Sequence, residues 1–238
     1  MKRRLTVVVV CLLLGAFPSA SFAQFGVGVK MSTLGIGIEG ASQLATRVNV
    51  RGGFNAFNYN RDFTNSGISY SGELTLRSVT ANLDFYLAGP FHFSPGLLLY
   101  NGNRGTADAF VPGGQSFTLG NTRYVSNPAN PITGNGKLSL NKAAPELLLG
   151  FGNLVPRSGR HFTANFEFGA VYQGSPSVTL NLNGSACTST GPGPLQCVNA
   201  ATDPTVQSNI RAQESKLNDD LSPFKWYPVL SLGFGYRF

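Results

Sequence analysis

The sequence predicts an all-β chain closed into an eight-stranded antiparallel transmembrane β-barrel, and three observations predict it. The last segment, Trp226 to Phe238, sets apolar side chains at every second position (Trp226, Pro228, Leu230, Leu232, Phe234, Tyr236, Phe238) and ends on phenylalanine. Such alternation suits a strand with one face in lipid and the other in a polar lumen. At the other end, Lys2, Arg3 and Arg4 precede an apolar run from Leu5 to Phe17 and the small-x-small triplet Ser21-Phe22-Ala23, the pattern of a cleaved export signal. Between the two ends, short and long connections alternate, as in barrels whose short turns face the periplasm and whose long loops face outward.

The apolar run is too short for a spanning helix, which needs ~20 residues. Residues 1–23 are therefore expected to leave as a signal peptide, with one barrel domain over 24–238. The formal charge of +7 includes the three positive charges of the signal, so +4 remains. The remaining Lys and Arg are scattered singly rather than gathered in a stripe, which excludes a nucleic-acid partner. Cys11 falls within the signal, whereas Cys187 and Cys197 share a loop rich in Gly, Pro, Ser and Thr. An even pair in an exported chain predicts a disulfide, and no nearby His supports a metal. No cofactor is expected.

The strands are read in order from the alternation. Apolar residues occupy odd positions from Phe25 to Met31 and even ones from Leu34 to Ile38. The flip at Ser32-Thr33 is read as a two-residue hairpin, with a single bulged strand as the alternative; even strand numbers in such barrels favour the hairpin. A strand follows from Thr46 to about Asn60. The strand from Ile68 to Leu87 changes parity near Arg77-Ser78, which is read as a β-bulge. Phe91 begins a strand that fades near Asn103, Asn135 to Asn153 is read as one strand, and Phe162 to Ala170 as the next. Residues 104 to 135 and 184 to 222 are expected to be long extracellular connections. Pro95, Pro145 and Pro228 fall in the lipid-facing set, a local conflict because proline donates no ladder bond.

Phe85, Phe91, Phe93, Phe162, Tyr236 and Phe238 are expected at the periplasmic interface, and Phe57, Tyr59, Tyr70, Tyr172 and Trp226 at the outer one. In the last loop, Asp203 can cap a helix, Pro204 suits its first turn, and Val206, Ile210, Leu217 and Leu221 form an apolar stripe before Ser222-Pro223. Packing across the barrel mouth is the plain reading of that stripe and docking on a partner the sharper one.

These features resemble the small eight-stranded outer-membrane barrels of the OmpA transmembrane-domain and OmpW kind. The resemblance rests on the signal, the short turn Gln43 to Thr46 and the closing Tyr227-Pro-Val-Leu-Ser-Leu-Gly-Phe-Gly-Tyr-Arg-Phe238. It implies that Phe234, Tyr236 and Phe238 are the signal read by the barrel-assembly machinery. It specifies a fold well and an activity poorly, since members anchor, adhere, pass small apolar molecules or modify lipids.

Inward positions are expected to carry Lys30, Arg47, Arg51, Arg77, Lys142 and Arg237 against Glu39, Glu73, Asp84, Glu146 and Glu167. Eight strands leave an interior that side chains largely fill, and buried charges persist when paired. Strand order nominates a Glu39-Arg51-Glu73 cluster within the lumen set Glu39, Arg51, Glu73, Arg77, Lys142, Glu146 and Glu167. His92 and Ser94 share the lumen face, but no carboxylate is evidently placed to orient the imidazole, which argues against an enzyme. The expected protein is a monomeric, non-enzymatic barrel of the bacterial outer membrane with a structural or surface-recognition role, contacting outer-membrane lipids and lipopolysaccharide. A narrow transporter for small apolar solutes and a lipid-modifying enzyme are the alternatives.

Overall fold

The computed structural model describes residues 24–188 and 195–238. The segment expected to be the export signal, with Cys11 and the expected cleavage after Ala23, lies outside the described residues. In chain order the strands begin with β1 (Phe25–Ser32), β2 (Gly35–Ala45), β3 (Val48–Asn65), β4 (Ile68–Ala88) and β5 (Phe91–Asn101). Next come β6 (Arg104–Val111), β7 (Ser116–Leu119), β8 (Thr122–Ser126), β9 (Ile132–Ser139), β10 (Ala144–Phe151) and β11 (Phe162–Tyr172). The chain ends with β12 (Ser177–Asn183), β13 (Ser185–Thr188), β14 (Gln196–Asn199), helix α1 (Pro204–Leu221) and β15 (Trp226–Arg237).

Eight of these strands close a ring, in the order β1, β2, β3, β4, β5, β10, β11, β15, with β15 pairing back onto β1. Ser32 pairs with Gly35 across a Thr33-Leu34 turn, so the first alternating segment is a hairpin. Gly35 has φ +115°, a conformation that a side chain would strain. Each proline in the lipid-facing set sits where one flank of its strand is unpaired. The β4–β5 ladder is interrupted opposite Pro95, Pro145 precedes the first β10–β11 pair at Glu146, and Pro228 lies above the last β1–β15 pair at Ser231. A missing N–H breaks no bond at such places.

The parity change at Arg77-Ser78 is not a bulge in β4. β3 and β4 stay in unbroken register from Val48↔Phe85 to Asn65↔Ile68, and the register shift lies across the β4–β5 pair, opposite Val79 and Thr80. What inverts is the side that is apolar. Below this level the outer face of the hairpin carries Val48, Val50, Phe54, Val79, Leu83 and Phe85; above it the outer face carries Asn58, Asn60, Asp62, Ser71, Glu73 and Arg77. Apolar side chains turn outward only where lipid surrounds them. The lipid-facing stretch of β3, Val48 to Ala56, matches the ~9–11 residues a tilted strand needs to cross a bilayer. Phe57, Tyr59 and Tyr70 consequently lie on the inner face above the barrel rather than in the outer girdle. Tyr172 and Trp226 do meet at the outer end of the lipid face, with ring centroids 4.9 Å apart.

Within the described residues, both long connections are folded rather than loose. β6, β9 and β12 continue the sheet upward from β4, and β7, β8, β13 and β14 form a small second sheet that carries the Cys187–Cys197 disulfide. The expected single strand from Asn135 to Asn153 is therefore two: β9 belongs to the extracellular sheet and β10 to the barrel, separated at 140–143.

Helix α1 starts as expected, with the Asp203 carboxylate accepting from the Thr205 and Val206 amides at 3.0 and 2.9 Å. Val206 and Ile210 bury against Val111, Leu119, Tyr124, Ile132 and Ala186, so its stripe is used in packing on the extracellular layer. The helix also covers the free edge of β12, where Glu214 accepts from Leu180 N–H at 2.6 Å and Asn218 from Val178 N–H at 2.7 Å.

Candidate functional site

Alternation within β3 sends Asn49, Arg51 and Asn55 into the lumen, and the facing strands contribute their own inward sets. Arg51 is the hub. Its Nε and Nη2 donate to the two oxygens of Asp84 at 3.1 and 3.0 Å, and its Nη1 donates to Glu39 at 3.1 Å and to Glu167 at 2.9 Å. A further bond from Nη2 to Glu167 occupies the fifth guanidinium N–H, so every donor of the side chain is used. Lys30 pairs with Glu39 at 3.2 Å, His92 Nε2 lies 3.2 Å from Glu167, and Ser94 donates to Asp84 at 2.6 Å. All of these side chains are buried.

β3 and β11 stand on opposite sides of the eight-strand ring, so the Arg51–Glu167 pair crosses the lumen at its middle. Apolar layers lie above and below it. Toward the outside, Leu34 from the β1–β2 turn packs with Leu98, Ala144, Leu148, Val171 and Val229. Toward the periplasm, Leu154 and Val155 of the β10–β11 connection bury against Ala41. The lumen is thus filled over three successive layers, as expected for eight strands.

Glu39 and Glu167 both accept hydrogen bonds from Arg51, which lies at the centre of the buried network. Glu73 does not join: it pairs opposite Asn60, on the polar outer face, and accepts from Thr75 Oγ1 at 2.9 Å. Asp84 takes the place proposed for it. Arg77 and Lys142 are exposed, Arg77 on the same outer face and Lys142 in the β9–β10 connection. Glu146 is in the lumen but is bonded by Asn82 Nδ2 at 2.9 Å rather than by a cation. Arg47 lies in the exposed β2–β3 turn, and Arg237 donates to Gln24 Oε1 at 3.2 Å, outside the network. Alanine at Glu73, Arg77 or Lys142 is accordingly expected to shift barrel stability by no more than ~0.5 kcal/mol in urea titrations of the refolded protein.

A carboxylate does contact the His92 imidazole, contrary to the reading from sequence. Ser94, however, gives its proton to Asp84, and both residues are enclosed by the lumen layers. Asp84, His92 and Glu167 also lie close enough together to suggest a cation site. Arg51 donates to both carboxylates at their shared centre, so the guanidinium already fills it.

The described strands therefore form a closed ring with an apolar outer belt, a filled polar interior, short turns beside both termini and a folded layer at the opposite end. The fold is that of a bacterial outer-membrane β-barrel. The crystal structure of Acinetobacter baumannii CarO is similar, with a TM-score of 0.54 and 23% identity over 90% of this chain and 97% of that one. Acinetobacter baumannii CarO2 is likewise similar, with a TM-score of 0.55 and 21% identity over 91% and 99%. No family model and no curated protein sequence matches the chain. At this identity the likeness carries the barrel architecture alone. In the barrel, Phe234, Tyr236 and Phe238 lie on the outer face of β15 at the periplasmic end, where Tyr236 packs its ring against Phe162 and Phe238 at 5.3 and 5.2 Å.

Proposed function

We propose that the protein is a sealed, non-enzymatic outer-membrane barrel that serves as a membrane platform for its extracellular layer, which carries recognition at the cell surface. The observation that supports this most is the Arg51–Glu167 pair across the lumen, flanked by two apolar layers. An aqueous path would have to break buried ion pairs at the centre, which is strongly unfavourable. The extracellular layer, by contrast, is built with its own core, a disulfide and a helix. In planar bilayers the refolded protein is expected to give no stepwise conductance. Steady ohmic channels from the unmodified protein would overturn the sealed-barrel reading.

One observation favours passage of small apolar solutes as a second reading. Phe57, Tyr59 and Leu74 are exposed by 42%, 51% and 42% on the inner face just above the rim, beside the short β1–β2 turn. A solute gathered there would have to leave sideways into lipid, because the lumen beneath is filled. Uptake of a small apolar tracer that falls on Tyr59→Asp substitution would decide for this reading.

A further inference from the structure

We infer that the periplasmic rim holds a binding site for the phosphodiester headgroup of an anionic glycerophospholipid, formed by Arg47, Arg157 and Arg160. The three arginines line one cavity of about 720 Å³ between the β2–β3 turn, the β4–β5 turn and the β10–β11 connection. The periplasmic connections at 46–47, 89–90 and 152–161 contain these three arginines and His161 but no Asp or Glu. Among the described residues, none of the three has a carboxylate within ion-pair distance, in contrast to Arg51 and Lys30 of the lumen. Arg157 is held in place without being neutralised: its guanidinium lies 5.4 Å from the Tyr86 ring centroid and donates to the Ala45 carbonyl at 3.4 Å.

The same cavity is walled by Leu87, Phe151 and Phe162, which belong to the lipid-facing side and are exposed on it. A ligand that suits both walls carries a phosphate at one end and acyl chains at the other. Guanidinium groups bind phosphate oxygens through paired, charge-assisted hydrogen bonds. Three uncompensated cations favour a headgroup with net negative charge over a zwitterionic one, whose ammonium they would repel. The site faces the periplasmic leaflet, since it lies at the end carrying both termini and the short turns.

Native mass spectrometry of the refolded barrel with phosphatidylglycerol or phosphatidylethanolamine of identical chains tests the assignment. The unaltered protein is expected to retain phosphatidylglycerol about tenfold more than phosphatidylethanolamine, and the triple variant Arg47→Gln/Arg157→Gln/Arg160→Gln to lose that preference. Triple Arg→Lys substitution should keep much of it, and Arg104→Gln/Lys137→Gln at the extracellular end should leave it intact. The heat-dependent gel shift verifies that each variant is folded. Equal retention of the two lipids, or an unchanged preference in the triple Gln variant, overturns the proposal. So does binding of inorganic phosphate that depends on the same arginines and excludes phosphatidylglycerol, which would assign the site to free phosphate instead.

Discussion

Replacing Arg51 with methionine is expected to destabilise the barrel by about 3–5 kcal/mol, the largest effect of any single lumen substitution. Five hydrogen bonds disappear at once, and three carboxylates, Glu39, Asp84 and Glu167, are left facing one another with only Lys30 as a fixed cation nearby. Their mutual repulsion in a water-poor interior adds to the lost bonds. The urea midpoint of refolded protein and the fraction running as the compact band before heating report the change. Combining Arg51→Met with Asp84→Asn and Glu167→Gln should restore most of the stability, because the remaining Glu39 keeps Lys30 as its partner and no buried charge is stranded. If the single variant were as stable as the unaltered protein, the network would be incidental to the fold.

Deleting Phe238 is expected to remove most of the protein from the outer membrane of living cells while leaving refolding from urea into detergent nearly unchanged. The two readouts separate because of where the residue sits. Its amide donates to the Phe25 carbonyl at 2.9 Å, one bond at the very end of the β15–β1 seam, and its ring is 70% exposed. Loss of one terminal bond and one surface ring contributes about 1 kcal/mol or less to the assembled barrel. A large loss in cells would therefore report recognition during assembly. Equal loss in both settings would mean that Phe238 acts through stability alone.

The alternation of β3, β5, β11 and β15 made the barrel and its strand number legible, since a period of two with a lipid face leaves few other solutions. Register was harder. Strand order correctly set Arg51 between the neighbours of Glu39 and the β4 carboxylates, but nominated Glu73, which pairs nine residues further up β3 from Arg51, roughly 30 Å away along the strand. The Ser66-Gly67 turn, both residues at positive φ, carries the missing information. Counting from it places Arg51 opposite Asn82 and beside Asp84. The extracellular strands β6 and β9 gave little signal because their apolar face is built largely of Gly105, Ala107, Ala109, Gly134 and Gly136. Nothing local marked Leu154 and Val155 as a plug; they read as part of an ordinary short turn, and Leu154 fits into the barrel end where a side chain at Gly26, Gly28 or Gly235 would collide with it.

The inversion of apolar faces at Ala56 and Arg77 also acts as a depth gauge. Because β3 and β4 run through this level as one uninterrupted hairpin, the barrel cannot slide inward without carrying Arg77 and Asn58 into hydrocarbon, nor outward without exposing Phe54 and Val79 to water. Both displacements are opposed over a shift of two residues, about 7 Å along the strand. The chain is thereby matched to a thin hydrophobic slab of ~25 Å, and a thicker membrane would have to compress around it.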